Sequence, residues 1–308
     1  MSDWNYKSNK NWYSVPPQVD WDEVAGVSID RDQNLILFAR GKTPVIVVDK
    51  KGEYINSFAH KDFSRPHSVR VDDKNYIWFV DDGDHTVKKY DINGNKLMTI
   101  GIPNSPSPTH SGIPFNRCTD IAIDYLSDSI FISDGYGNSS IHKYSIDGEF
   151  IKSWGSPGTD QSEFNIVHNI ALDSNSYLYV ADRENHRIQI FDTNGVYVDQ
   201  MINMHRPCAL YIDNDFLYVG ELGYGMSVNQ NVPNIGPRIS IYNLSNKKLL
   251  MRWGEGFGDK PDQLYAPHSI VVDNNNNIYL GEVSKTNMRN IGLDDIEYKG
   301  VRKLEYYN

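Results

Sequence analysis

The sequence has little cysteine and no long apolar run. Its 308 residues include only two cysteines, Cys118 and Cys208, which cannot build a disulfide framework, so nothing points to an oxidising compartment. No stretch approaches the roughly 20 apolar residues that cross a bilayer. The N-terminal stretch 1–17 also lacks the apolar centre of a secretory signal. We therefore expect a soluble, cytoplasmic protein that does not bind a membrane.

The sequence also lacks an excess of basic residues. Its formal net charge is −10 and its isoelectric point is about 5.3. No run of Lys or Arg forms a stripe that could bind phosphates, so we expect no nucleic-acid partner. No motif sets an oligomeric state, and a monomer is the expectation.

A sustained helical period is missing as well, and a strand-like repeat takes its place. Six segments alternate apolar and polar residues and end in Asp. A second and a third strand-like segment follow in most repeats, and many repeats add a fourth after an Asn-Gly or Asp-Gly turn. The six first segments are VAGVSID (24–30), RPHSVRVD (65–72), RCTDIAID (117–124), IVHNIALD (166–173), RPCALYID (206–213) and APHSIVVD (266–273).

Each repeat predicts a four-stranded antiparallel sheet that cannot bury both faces alone. Six such sheets that stack radially form an all-β, six-bladed β-propeller, which we predict for residues 1–308 as a single domain. The last repeat lacks a fourth strand, because the chain stops after GVRKLEYYN. We expect the N-terminal segment 1–20 to supply it, with NWYSVPP (11–17) as the strand, so that no sheet edge stays open.

Polar residues after the second strands are expected to be structural. We predict that these acids tie turns together and that the Asn-x-Arg pattern in DRENHRIQIF (182–191) bonds neighbouring loops. The acids are Asp82, Asp134, Asp182, Glu221 and Glu282.

Three histidines share one position of the repeat. They occupy blades two, four and six, and the first strands of a propeller line its central channel, so the three imidazoles should converge. A lone histidine is usually packed or capping, but no strand needs three in this pattern. Three nitrogen ligands with an open position are typical of Zn²⁺, with other first-row divalent metals as alternatives, and do not suit Ca²⁺ or Mg²⁺. The position holds, in order, Ala25, His67, Thr119, His168, Cys208 and His268.

Cys208 shares that position but lies one blade out of phase. We expect it to be a small buried residue, with a ligand role as the alternative.

Two loops after second strands offer groups that could act beside such a metal. SDGYGNSSI (133–141) places Tyr136 between two glycines, and ADRENHRIQ (181–189) places Arg183 at the corresponding turn of the next blade. A tyrosine beside a dication loses its proton more readily, and an arginine can grip a carboxylate with two hydrogen bonds. The alternatives are that Tyr136 packs in its turn and that Arg183 bridges loops.

Together these segments resemble a known family. The repeats resemble NHL repeats, and residues 20–285 resemble peptidyl-α-hydroxyglycine α-amidating lyase, the lyase domain of peptidylglycine α-amidating enzyme. The matching motifs are RPHSV, CTDIAID, SDGYGNS, VHNIAL, ADRENHRIQ and APHSIVV.

The resemblance implies a zinc-dependent reaction. His67, His168 and His268 would bind zinc, Tyr136 would take the hydroxyl proton of the substrate, and Arg183 would hold its carboxylate. The substrate implied is a peptide with a C-terminal α-hydroxyglycine, whose C–N bond is cleaved to an amide and glyoxylate. Because these 308 residues contain no copper monooxygenase sequence, a separate enzyme is expected to hydroxylate the glycine.

The sequence departs from the family at several points. Gly137 stands where the family has a disulfide cysteine, and none lies near Val180, which fits a reducing compartment. The family has a structural Ca²⁺ with an acidic ligand at the position of Ser269. The resemblance therefore implies this ion, but the acidic ligand is missing here. The family's second substrate-binding arginine has no match near Val19, and Arg40 is the substitute that we consider.

Two other functions stay open on these residues. One is a different zinc-propeller enzyme that acts on another small α-hydroxy amide. The other is a non-catalytic NHL-type interaction scaffold, which has no need of three converging imidazoles.

Overall fold

The computed structural model of this protein describes residues 4–230, 232–292, 298 and 300–307. It contains six four-stranded antiparallel sheets, which are the blades of a six-bladed β-propeller, so the predicted fold class is confirmed. The chain divides into two compact units, Asp62–Pro207 and the combination of Met1–Lys61 with Cys208–Asn308. We call them the middle unit and the terminal unit. The single domain over 1–308 remains a prediction, and residues 1–3 and 308 lie outside the described part of the chain.

The middle unit contains three complete blades and two small additions. Blade 2 consists of Pro66–Val71, Ile77–Asp81, Thr86–Tyr90 and Lys96–Ile100. Blade 3 consists of Asp120–Asp124, Ser129–Asp134, Ser140–Ser145 and Phe150–Trp154. Blade 4 consists of Val167–Leu172, Leu178–Asp182, Arg187–Phe191 and Tyr197–Met201. The additions are the short parallel pair Ser156–Pro157 with Glu163–Phe164 and the 3₁₀ helix Arg183–Asn185.

The terminal unit contains the other three blades. Blade 1 consists of Val24–Ile29, Leu35–Ala39, Val45–Val48 and Tyr54–Phe58. Blade 5 consists of Pro207–Asp213, Phe216–Glu221, Arg238–Asn243 and Leu249–Trp253. Blade 6 consists of Pro267–Val272, Ile278–Glu282, Val301–Tyr307 and Asn5–Asn9. The unit also has a 3₁₀ helix, Ser227–Asn229, and an α-helix, Ser284–Asn290. Among the described helices, none has the length and apolar character to span a bilayer.

The Asp that ends a first strand shapes the hairpin that follows it. Asp72 Oδ1 accepts the N–H groups of Lys74 and Tyr76, both at 2.9 Å, and Asp173 and Asp273 repeat this pattern two and four residues on. Asn75 lies at φ 66°, a conformation that asparagine tolerates better than most residues. The repeated Asp therefore satisfies turn N–H groups that the sheet leaves unpaired.

The core of the middle unit lies between neighbouring blades. One cluster packs Trp78 and Val80 of blade 2 against Ile121 and Ile132 of blade 3. A second cluster packs blade 3 against blade 4 in the same way. Because side chains alternate along each strand, both faces of a blade are apolar where another blade covers them.

The fourth strand of blade 6 differs from the predicted one. Asn5–Asn9 pairs antiparallel with Val301–Tyr307, from Asn5 opposite Tyr307 to Asn9 opposite Lys303. The stretch 11–17 forms only a single bridge, between Ser14 and Glu53. The prediction for 11–17 is therefore wrong. Consecutive prolines at 16 and 17 explain the difference, because proline has no N–H to donate to a ladder.

Three of the five predicted acids tie turns, as expected, by accepting backbone N–H groups of a neighbouring loop. Asp134 accepts the N–H of Asn116 at 2.9 Å, Asp182 that of Asn165 at 2.8 Å, and Glu282 that of Tyr265 at 2.7 Å. The fourth acid, Glu221, pairs with the side chain of Arg238, which lies opposite it on the neighbouring strand, so its role in a turn stays a prediction. In the 182–191 segment, Asn185 and Arg187 donate to the carbonyl oxygens of Gly158 and Asp160, as expected.

The fifth acid, Asp82, does not tie a turn. Asp81 does so in blade 2 by accepting the N–H groups of Ser64 and Arg65. Asp82 follows one residue later and binds arginine side chains instead. The prediction for Asp82 is wrong. Asp81 and Asp82 are adjacent, so the sequence does not show which of them binds the turn.

Candidate metal and substrate site

Two of the three predicted histidines lie in the middle unit with fixed tautomers. His67 Nδ1 is 2.6 Å from the carbonyl oxygen of Thr119, and His168 Nδ1 is 2.8 Å from Asn169 Oδ1. The Asn169 amide nitrogen donates to Asp120, which fixes the orientation of that amide. Since an oxygen of this kind only accepts, each Nδ1 carries the proton and each Nε2 carries the lone pair that could bind a metal.

His268, in the terminal unit, follows the same pattern. Its Nδ1 is 2.7 Å from the carbonyl oxygen of Ala25. All three histidines are buried, and one ring nitrogen of each lies within 4.8 Å of those of the other two. A histidine that binds a metal through one nitrogen while the other donates to an oxygen is the usual arrangement in metal sites. The three histidines can therefore hold a metal ion.

An irregularity in each strand sets the direction of these side chains. The pairing of first and second strands jumps from Pro66 to Ser68, from Val167 to Ile170 and from Pro267 to Ser269. Each jump leaves the histidine outside the regular ladder. Bulges of this kind redirect a side chain and are common beside functional sites.

Tyr136 reaches both histidines of the middle unit. Its Oη is 3.2 Å from His67 Nε2 and 3.2 Å from His168 Nε2. The two imidazole rings are themselves 4.9 Å apart between centroids. The hydroxyl therefore contacts the two nitrogens whose lone pairs could bind a metal.

The glycines beside Tyr136 permit close approach of its loop to other backbone. A Cβ at Gly135 would lie 1.6 Å from the carbonyl oxygen of Val167, and one at Gly137 would lie 2.4 Å from Asn116 Oδ1. No side chain fits at either position. The loop thus lies against Val167, the residue before His168.

The long loop 101–116 supports the Tyr136 loop from its other side. The N–H of His110 donates to the carbonyl oxygen of Gly137 at 2.8 Å. Asn138 donates to the carbonyl oxygen of Ile113 at 2.8 Å and to Asp134 at 2.7 Å. These bonds hold the tyrosine loop between blade 3 and the loop before it.

Arg183, which the sequence analysis expected near Tyr136, lies over the face of the Tyr136 ring. Its Cζ is 5.7 Å from the ring centroid, and its Nε donates to Glu184 at 2.8 Å. Burial acts to raise the pKa of Glu184, but the neighbouring Arg206 and Arg183 outweigh it and hold that pKa at about 2. Glu184 is therefore an anion that fixes two guanidinium groups.

Arg117 was not predicted and lies closer to Tyr136 than Arg183 does. Its Cζ is 4.4 Å from the ring centroid, on the scale of a cation–π contact. Its Nη2 donates to Asp82 at 2.7 Å. The signal was present in the sequence, because Arg65, Arg117 and Arg206 all stand two residues before the histidine position of their repeats.

Arg40 has structural partners in the terminal unit. Its Nη1 donates to Glu23 and, at 2.5 Å, to Thr286 Oγ1. Glu23 is buried, so this ion pair neutralises a charge that water does not reach. The substrate-binding role of Arg40 stays a prediction.

The residues expected to bind other groups are engaged or buried. Ser269 Oγ accepts the N–H of Val27 at 3.0 Å. Cys118 and Cys208 are buried, and neither is in a disulfide. Within the described ranges, the three histidines are the only group of three or more His, Cys, Asp or Glu that could hold a metal ion.

A cavity of about 640 Å³ in the terminal unit holds none of the predicted site residues. It is bordered by part of the loop 222–237 and by the 254–257 turn. Residue 231 of that loop lies outside the described residues. Arg238, whose Nη2 donates to Glu221, lines it.

Comparison with known proteins agrees with this architecture. The NHL repeat model matches residues 164–191, which include the first three strands of blade 4 and His168. A solved structure of a streptogramin B lyase superposes with a TM-score of 0.64 and covers 98% of both chains at 14% identity, a similarity that shows the fold alone. The chain thus contains an NHL repeat within a six-bladed β-propeller, and three of its histidines could bind a metal.

Its relatives in sequence include proteins named for peptide amidation. Peptidyl-alpha-hydroxyglycine alpha-amidating lyase 1 of Drosophila melanogaster is 30% identical over 246 residues, which cover 72% of this chain and 43% of the relative. Peptidylglycine alpha-amidating monooxygenase of Rattus norvegicus is 25% identical over 94% of this chain. The chain spans about a third of the length of that relative and of its Mus musculus counterpart.

Proposed function

We propose that this protein is a zinc-dependent lyase that cleaves the C–N bond of peptidyl-α-hydroxyglycine, or of a similar α-hydroxy amide, to an amide and glyoxylate. The observation that carries the proposal is the contact of Tyr136 Oη with Nε2 of both His67 and His168 at 3.2 Å. The names of the relatives support the same reaction.

The donor set supports zinc as the metal. His67, His168 and His268 would each offer a neutral imidazole whose Nδ1–H is bound to an oxygen, which orients the ring and raises the basicity of Nε2. All-nitrogen sites favour zinc over calcium or magnesium. When bound, zinc would supply a Lewis acid that makes a hydroxyl group more acidic.

Tyr136 would carry the proton of the reaction. The hydroxyl of the substrate loses a proton, its oxygen forms the aldehyde C=O of glyoxylate, and the C–N bond breaks with its electron pair going to nitrogen. The released amide nitrogen needs one proton, so a group that accepts the hydroxyl proton can return it there. Tyr136 Oη, which lies beside two buried histidines, would make both transfers.

Arg183 would bind the carboxylate of the hydroxyglycine. Its Nε is engaged by Glu184, and its guanidinium lies 5.7 Å from the Tyr136 ring. Such an arginine fixes the α-carbon relative to the tyrosine, which lowers the barrier by orientation.

Glyoxylate release from a synthetic peptidyl-α-hydroxyglycine tests the proposal. We expect turnover that a chelator abolishes and zinc restores, with about one zinc per chain by metal analysis. Tyr136→Phe should keep its metal and lose roughly 10²-fold or more in kcat, the usual contribution of a general base. A Phe variant with unchanged kcat would exclude tyrosine from the mechanism, and a metal content near zero would favour an interaction scaffold.

The proposal extends to the cellular setting. A separate enzyme would hydroxylate the glycine α-carbon, and the protein would act as a cytoplasmic monomer of 35.2 kDa. Two buried cysteines outside any disulfide support a reducing compartment. Cell fractionation and light scattering test these points, and a secreted or dimeric protein would contradict them.

A further inference from the structure

Four arginines of the middle unit share two carboxylates around Tyr136. Each carboxylate binds two guanidinium groups, one pair on Asp82 and one pair on Glu184. Four positive and two negative charges leave a local excess of two positive charges, although the whole chain carries a net charge of −10. We call this group the arginine cluster, and it consists of Arg65, Arg117, Arg183 and Arg206 with Asp82 and Glu184.

Arg117 is the most exposed side chain of the cluster that contacts Tyr136. Its side chain is 42% exposed, whereas that of Arg183 is 11% exposed. Its Nε and Nη2 both donate to Asp82 Oδ2, at 3.2 and 2.7 Å. In the part of the chain that the structure describes, Nη1 makes no hydrogen bond. Arg117 therefore keeps one donor edge for a ligand.

The position of this edge is fixed relative to the reacting groups. The guanidinium lies 4.4 Å from the centroid of the Tyr136 ring, whose hydroxyl contacts His67 and His168. The backbone N–H of Arg117 donates to His85 Nδ1 at 3.0 Å, which anchors the residue at its main chain. Stacking and the Asp82 ion pair thus orient the side chain before any ligand arrives.

A single substrate carboxylate does not account for this arrangement. The carboxylate of hydroxyglycine carries one negative charge, and the proposed function assigns it to Arg183. A guanidinium edge binds a second carboxylate through charge-assisted hydrogen bonds. We propose that Arg117 binds a second carboxylate of the substrate. The preferred substrates are then dianionic, namely α-hydroxyglycine amides whose acyl group ends in an acidic residue or another carboxylate.

This inference rests on the proposed lyase function and is tested with two matched substrates. N-succinyl-α-hydroxyglycine carries a second carboxylate, and N-valeryl-α-hydroxyglycine is a counterpart of similar length whose acyl group is uncharged. For the zinc-loaded wild-type protein, we expect kcat/KM for glyoxylate release to be roughly 10- to 100-fold higher with the succinyl substrate, the range of a hydrogen bond between charged groups. Because Arg117 is partly exposed, this preference should fall as the salt concentration rises.

Three variants assign the preference to Arg117. In Arg117→Gln the ratio should fall towards one, and Arg117→Lys should retain part of it because the charge remains. Arg65→Gln is the matched control, since it also removes one guanidinium from Asp82 but leaves both arginines over the Tyr136 ring. Asp82 retains an ion-pair partner in every variant, so each should fold, which thermal unfolding checks.

The outcomes separate this inference from the proposed function. Equal kcat/KM for the two substrates in the wild-type protein, or a ratio that survives in Arg117→Gln, would overturn the role of Arg117 while lyase activity stands. If the zinc-loaded protein released glyoxylate from neither substrate, the proposed function would fail, and this inference with it.

Discussion

Replacing Gly135 with alanine should displace Tyr136 without altering its chemistry. The added Cβ would lie 1.6 Å from the carbonyl oxygen of Val167 and 2.6 Å from its carbonyl carbon. Real Cβ atoms essentially never come closer than 3.0 Å, so the two segments must separate by about 1.4 Å. Both contacts are with backbone, so a side-chain rotation cannot relieve them.

This displacement would move the hydroxyl away from the nitrogens it contacts at 3.2 Å. A misplacement of about 1 Å at a reacting group costs on the order of 10²-fold in rate, or about 2.7 kcal/mol of barrier. We expect Gly135→Ala to lose roughly that factor in kcat for glyoxylate release. A loss of about 1–3 kcal/mol in unfolding free energy should accompany it.

Tyr136→Phe is the comparison for this variant, because it removes the hydroxyl and leaves the loop in place. The double variant should be little slower than the slower single variant, since both changes disable the same contact. Wild-type kcat in Gly135→Ala, with the protein folded, would refute the argument that glycine at this position sets the location of the tyrosine.

Three further predictions concern residues around the site. Asn169→Ala removes the acceptor of His168 Nδ1 and should weaken zinc binding about 10- to 100-fold in competition with a chelator, whereas unchanged affinity would show that this bond does not orient the ring. Arg40→Met leaves the buried Glu23 without its ion pair and should cost about 3 kcal/mol in urea unfolding; a stable variant with a raised KM would instead assign Arg40 to the substrate. Glu184 has a folded pKa of about 2 against 4.5 for an ordinary glutamate, so its contribution is complete above pH 4.5 and is lost as pH falls from there towards 2. That contribution is at most about 3 kcal/mol, and Glu184→Gln should lack this part of the pH dependence of unfolding; equal slopes in both proteins would contradict it.

Much of the fold was predictable because its signals are local. Alternating side chains, Asp at the strand ends and Asn-Gly turns each act within a few residues, and together they predict every blade. The strand that completes blade 6 was misplaced because its partner lies almost 300 residues away, at Val301–Tyr307. Nothing local distinguishes Asn5–Asn9 from the stretch 11–17 except the prolines in the latter.

The candidate site was likewise predictable only in part from the sequence. The repeat alone placed His67, His168 and His268 at one position and Tyr136 and Arg183 on corresponding turns. It marks Arg65, Arg117 and Arg206 at one position but could not select among them, because the role of Arg117 depends on Asp82 and Tyr136, which follow strands of two different blades.

Residue order alone specifies that six similar sheets form and that three of them carry a histidine at the same position, because the alternation of a strand is a property of its own residues. What those histidines can do depends on contacts made in the folded chain. The skipped ladder positions that turn them out of the sheet, and the oxygens of Thr119, Asn169 and Ala25 that hold their Nδ1 protons, arise from packing. Hydrogen-bond partners of this kind depend on distances in space, which residue order does not specify.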